Sequence, residues 1–490
     1  MTTFVYSSVA PREVDTGLLV LPVFEGPLPG PGVKETGLVE AFAAAKLTGK
    51  AGEQLLVPGP GDRFAAGAVL LLGVGPREAF DVTAMRRALG KVGSTARRFG
   101  AVATTFAQAF GGARAADAVQ AAGEGLALGA YRFGRYKTKG ADGADLETVT
   151  VLGAARWDAK RMKAAASAAA IVTDAVCWAR DLVNVPAGDL PPAAIADAAV
   201  AMAKEVGLPC KVWNETQLAA KGFGGILGVG KGSVNPPRLI ELTYTGAGKA
   251  TPIALTGKGI SFDSGGLDIK DASGMETMKC DMGGAASILG TMKAIARLKP
   301  RVNVIAAIPC SENMPSGSAQ KPGDVITHYG GTTSEVLNTD AEGRLILADA
   351  LAYLAEREPA CIVDTATLTG ACMVALGTDI AGAIGNDDAL ARELVRAGER
   401  TGEPLWQLPL YPDYRRLIDS KVADIKNIGK RYAGAITASW FLAGFAGDTP
   451  WVHLDIAGPA FSEHGNDLGP AGGTGFPVRA LVRFVQDRAR

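Results

Sequence analysis

Histidine is scarce, with three residues in 490, His328, His453 and His464. None belongs to an HExxH or related pattern, which removes the common histidine-based zinc proteases, and each reads as a structural or surface residue. Cysteine is sparse as well. Cys177, Cys210, Cys280, Cys310, Cys361 and Cys372 are scattered, without CxxC pairs. That excludes a disulfide framework and a thiolate zinc site, and leads us to expect reduced thiols in a cytoplasmic protein. Charge of one sign is missing too: 50 basic residues balance 50 acidic ones. With no overall field to hold a polyanion, DNA binding is possible only through a basic surface formed by assembly, and is otherwise unsupported. No run approaches the ~20 uninterrupted apolar residues of a membrane span. Met1 to Tyr6 lacks the basic segment and apolar core of a signal peptide, so no membrane partner is expected.

What is abundant is glycine, 63 residues. It is dispersed rather than periodic, which argues for many tight turns in an α/β protein. The length is natural for two domains. Leu18–Phe24, Ala68–Val74 and Thr148–Leu152 read as buried strands, and 79–99 and 114–132 as helices. The alternation implies a three-layer domain with a largely parallel sheet. A long alanine-rich helix over 157–183 leads into the proline-rich passage Asn184–Pro192, the best boundary. The expected fold is α/β with two domains, each a mixed, largely parallel β-sheet flanked by helices. The expected divisions are 1–156, a connector over 157–192, and 193–490.

The chemistry concentrates in the second half. Asn338-Thr339-Asp340-Ala341-Glu342-Gly343-Arg344-Leu345 places two carboxylates and a guanidinium immediately before an apolar run of helical spacing, so a buried helix should begin near Gly343. In an extended loop Asp340, Glu342 and Arg344 would face one pocket. Helix capping is the plain alternative for these acids, and for Asp263 or Asp281 taken singly. Ile253–Thr256 runs as a strand into a glycine-rich loop carrying Lys258 and Asp263, where α/β sheets place their functional crevice. That loop is not a P-loop, because GxxxxGK followed by Ser or Thr is absent. Asp263, Asp281, Asp340 and Glu342 brought together would repel unless cations sit between them, and two divalent ions are the usual solution. A dinuclear phosphoesterase could use the same acids.

These residues resemble the leucyl (cytosol) aminopeptidases, the dinuclear-metal M17 peptidases. Asn338 to Leu345 matches the family signature NTDAEGRL throughout. Lys258–Gly266, Asp281–Ala286, Asp364–Gly370, Ala423–Asn427 and Trp451–Gly458 look like family blocks in family order. The likeness covers the chain from about Arg180 to its end, and implies a macro-like amino-terminal domain before it.

The resemblance implies a metal-dependent aminopeptidase that releases leucine or other large apolar residues from peptides with a free amino terminus, by attack of a metal-activated water. Two divalent ions per chain, Mn²⁺ or Zn²⁺, would be held by Lys258, Asp263, Asp281, Asp340 and Glu342. Lys270 and Arg344 would be the catalytic groups, with bicarbonate near Arg344. Met278, Asn338, Thr367 and Leu368 would line the substrate pocket, and the assembly would be a homohexamer. Asp271 departs from the pattern by adding a negative charge beside Lys270, and Gly188 stands where asparagine is frequent.

Overall fold

A computed structural model describes residues 2–59, 64–139 and 145–489. They pack as two compact units, residues 1–177 with 464–471, and residues 178–463 with 472–490.

In the first unit the strands run in the order Thr3–Ser7, Thr148–Leu152, Ala101–Thr104, Leu18–Phe24, Ala68–Gly73 and Gln54–Pro58. All neighbours are parallel except the last pair, and Leu28–Pro29 adds an antiparallel stub to Leu18–Phe24. Every residue of Leu18–Phe24 and Ala68–Gly73 is buried, as a parallel strand covered on both faces requires. The helical stretch expected over 79–99 is broken into Val82–Lys91 and Gly93–Arg97. Glycine lets this region meet Ala115–Gly129 closely: a Cβ on Gly129 would fall 2.0 Å from the Gly90 carbonyl oxygen.

The long helix is Ala159–Asn184. Among the described helices it alone has the length and mean hydropathy, 1.2, of a membrane span, and half of that window is buried within the protein.

The second unit is built on the strand order Leu405–Gln407, Ala381–Gly385, Trp451–Asp455, Cys361–Ala366, Ile253–Gly257, Asn303–Asn313, Arg238–Thr245 and Cys210–Trp213. Gly259–Asp263 continues alongside Asn303–Asn313. The four central strands are parallel, so their carboxyl ends share one edge. Alternate side chains of Cys361–Ala366 point to opposite faces. One layer of helices contains Pro192–Val206, Gly283–Leu298, Asp388–Thr401 and Val478–Arg488; another contains Gly224–Gly230, Gly343–Ala355 and Gly434–Ala446. Both units are therefore mixed, mostly parallel sheets flanked by helices.

Candidate metal centre

The carboxyl edge of the central strands gathers the chemistry. Lys258 follows Ile253–Gly257 directly, Asp263 ends Gly259–Asp263, and Thr367 and Leu368 follow Cys361–Ala366. Asp281 comes from the short 3-10 turn Met278–Met282 that precedes Gly283–Leu298. Asp340 and Glu342 come from the loop before Gly343–Ala355.

That loop is not extended, which corrects the expectation of alternate residues on one face. Ala341 N donates to Asn338 O at 3.3 Å, closing a turn, and Glu342 already has helical angles of φ −79 and ψ −35. Asp340 and Glu342 meet through the turn, while Arg344 lies inside the helix and donates from Nη1 to Asn427 O at 2.7 Å. The capping alternative is overturned as well. Glu342 occupies the N-cap position without a side-chain capping bond, and Asp263 Oδ1 accepts from Gly265 N in a local turn.

Asp263, Asp340 and Glu342 each offer a carboxylate oxygen, and these oxygens lie within 4.8 Å of one another. Lys258 Nζ stands 2.7 Å from Glu342 Oε1 and 2.7 Å from Asp281 Oδ2, joining the fourth carboxylate to the group, and donates to Thr367 O at 3.0 Å. Lys270 Nζ stands 2.9 Å from Asp263 Oδ2 and 2.5 Å from Asp340 Oδ1. Asp281 Oδ1 accepts from Thr367 Oγ1 at 2.6 Å, and Asp263 Oδ1 from Asn313 Nδ2 at 2.8 Å. Asn338 Oδ1 accepts from Asp340 N at 2.7 Å. Met278 and Leu368 are half-buried in the segments that carry Asp281 and Thr367.

Burial pushes Glu342 and Asp281 well above the usual carboxylate range; the charge of Asp263 adds to this, and Lys258 opposes it. Asp340 is raised for the same two reasons, burial and then Asp263. For both lysines burial disfavours the charge, but the surrounding carboxylates win and raise them: Asp281, Glu342 and Asp263 around Lys258, Asp263 and Asp340 around Lys270. Burial brings Arg344 down to about 10, with Glu342 and Asp455 resisting.

These residues fit a divalent cation. Glu342 Oε1 and Oε2, Asp281 Oδ2 and Asp340 Oδ1 are buried and make no well-directed hydrogen bond among the described residues, although three of them lie at ion-pair distance from a lysine nitrogen. Four crowded carboxylates with unused lone pairs and only two lysines between them form an oxygen-rich donor set for a hard or borderline ion. Of the histidines, His328 pairs with Asp349 at 3.1 Å in the core and His453 with Asp364 at 2.6 Å. Neither joins the carboxylate cluster.

Supporting residues went unassigned in the sequence. Asn313, Asn427 and Asp455 hold the site loops, Asp455 by accepting from Leu368 N at 3.3 Å and Thr369 Oγ1 at 2.6 Å. Asn427 and Asp455 stand inside the blocks 423–427 and 451–458, the only signal that could have marked them.

Comparison with known proteins agrees along the whole chain. The profile of the cytosol aminopeptidase family, catalytic domain, matches residues 177–482, and that of its N-terminal domain matches 20–140. The chain is 44% identical over 482 residues to a probable cytosol aminopeptidase of Syntrophotalea carbinolica, covering 96% of this chain and 97% of that one. It is 46% identical to another of that name from Streptomyces avermitilis, covering 96% and 93%. Two solved structures of the bottromycin maturation enzyme BotP, one in complex with Mn, match with a TM-score of 0.85 and 35% identity. They cover 97% of this chain and 99% and 100% of theirs.

Proposed function

This chain belongs to the cytosol aminopeptidase family, and on that premise we propose that it removes leucine and other large apolar residues from the amino terminus of peptides at a two-ion centre. Membership makes it a metal-dependent aminopeptidase, a hydrolase. The observation that carries the finer reading is the cluster of Asp263, Asp340 and Glu342, in which buried oxygens of Asp340 and Glu342 make no well-directed hydrogen bond among the described residues.

Lys258, Asp263, Asp281, Asp340 and Glu342 would hold two ions, Mn²⁺ or Zn²⁺. When bound, divalent ions supply an acidified water as nucleophile and polarise the scissile carbonyl. Lys258 would serve as a ligand only through its neutral amine, so the proton that its carboxylate neighbours favour would have to leave Nζ. Lys270 keeps its proton and stabilises the developing oxyanion as a cation. Arg344 would hold a bicarbonate-like anion as the proton acceptor, a reading supported by its buried Nε, which makes no hydrogen bond among the described residues. Met278, Asn338, Thr367 and Leu368 would shape the pocket for the terminal side chain. Homohexameric assembly, a cytoplasmic location and a C-terminal catalytic domain over 193–490, joined by the connector 157–192, belong to the same proposal. They are supported by the family likeness and, for location, by the relatives' names.

The test is a pair of peptides that differ only at the amino group. Release of leucine from the free-amine peptide should far exceed release from its acetylated form. Equal rates would contradict an exopeptidase that holds the terminal amine.

A further inference from the structure

We propose that Asn427 is a positioning residue of this centre, fixing the loop of Asp340 and Glu342 and the guanidinium of Arg344 in one geometry; the proposal rests on the metal-centre reading above. Asn427 is fully buried and follows the two-residue strand Ile425–Lys426, which pairs in parallel with Thr333–Glu335. Its own N–H donates to Glu335 O at 2.9 Å, so its backbone is anchored.

A primary carboxamide has one oxygen that can accept twice and one nitrogen that can donate twice. Asn427 uses all of this on one loop. Oδ1 accepts from Leu337 N at 2.8 Å and Asn338 N at 3.3 Å. Nδ2 donates to Asn338 O at 2.7 Å and Ala341 O at 3.5 Å. Asn338 then passes the constraint on, because its Oδ1 accepts from Asp340 N at 2.7 Å. The Asn427 carbonyl oxygen, meanwhile, accepts from Arg344 Nη1 at 2.7 Å and sets the direction in which the rest of the guanidinium fork points. One side chain and one carbonyl thus tie the two acids of the loop to the cation that follows them. No other residue type of this size supplies both paired acceptors and paired donors: aspartate lacks the donors, and alanine lacks both.

The experiment compares wild type, Glu342→Ala, Asn427→Ala and Asn427→Asp by equilibrium dialysis against Mn²⁺, by melting of the metal-free protein, and by kcat and KM on a free-amine leucine peptide. Wild type binds Mn²⁺ and Glu342→Ala does not, which establishes the centre. Both Asn427 variants then lose about ten- to a hundredfold in Mn²⁺ affinity, the usual effect of removing a partner that orients ligands. Their metal-free forms fold and melt somewhat below wild type, because the lost amide leaves buried backbone groups unpaired, and activity lost at low Mn²⁺ returns in part as Mn²⁺ is raised, a rescue that damage to the fold would not give. Wild-type Mn²⁺ affinity and kcat in either variant would overturn the proposal. So would activity that raised Mn²⁺ fails to restore in both variants, which would make Asn427 a residue of fold stability alone. If Glu342→Ala binds Mn²⁺ normally, it is the metal-centre reading that fails, and the proposal falls with it.

Discussion

The side chain of Lys258 lies across the Cα of Gly343, so closely that a Cβ there would stand 2.4 Å from Cε and 2.8 Å from Nζ. Glycine at the first helical position is therefore a requirement of the lysine rather than of the helix. Gly343→Ala should not weaken the helix, since alanine is the better helix former by about 1 kcal/mol. It should push the Lys258 amine off Asp281 and Glu342. A displacement of that kind costs roughly a hundredfold in kcat. Kinetics measured beside the melting temperature check this; wild-type turnover would show that Lys258 can be moved without consequence.

The two lysines separate under substitution. Lys258→Arg cannot deprotonate, so one ion and turnover should be lost together. Lys270→Ala should keep the metal content and lose ~3–4 kcal/mol of transition-state stabilisation, about 10²- to 10³-fold in kcat. Metal analysis of both variants decides between these roles, and the reverse pattern would interchange them.

In the absence of metal the carboxylate cluster makes stability fall with pH. Glu342, Asp281 and Asp340 are held above their ordinary values, first by burial and then, among other charges, by Asp263. The folded protein thus binds more protons than the unfolded chain once pH exceeds ~4, where free carboxyls ionise. Stability should decline from there upward through the raised values. Glu342→Gln should flatten that decline, and Mn²⁺ should offset it in wild type. Urea titrations of the metal-free protein across pH 5–8 measure the slope; equal slopes in the two proteins would contradict the assignment of this strain to Glu342.

Much of the architecture was legible because local pattern determines it. The apolar spacing after Arg344 placed a helix start at Gly343, where Gly343–Ala355 begins, and the apolar run at Leu18 is the buried strand Leu18–Phe24. The site loop was less legible. Spacing alone puts Asp340, Glu342 and Arg344 on one face only if the loop is extended, but the chain turns there, held by Asn427 some ninety residues further on. No local spacing carries such a contact. Asp271 shows the same gap at short range. Read as an added charge beside Lys270, it is exposed, and its Oδ1 accepts from Gly274 N at 2.6 Å as the cap of Ala272–Met275. Gly188, the other departure, sits in the short turn Ala187–Asp189 with open space where a side chain would be.

The central claim is that Glu342, with Asp263, Asp340, Asp281 and Lys258, holds the ions on which hydrolysis depends. The most direct test is the metal content of wild type and Glu342→Ala after equilibrium dialysis against Mn²⁺, with turnover of a free-amine leucine peptide measured on the same samples. The account predicts two ions per chain in wild type, and an emptied centre with activity abolished in a folded Glu342→Ala variant. A variant that retains two ions per chain and normal turnover would contradict it.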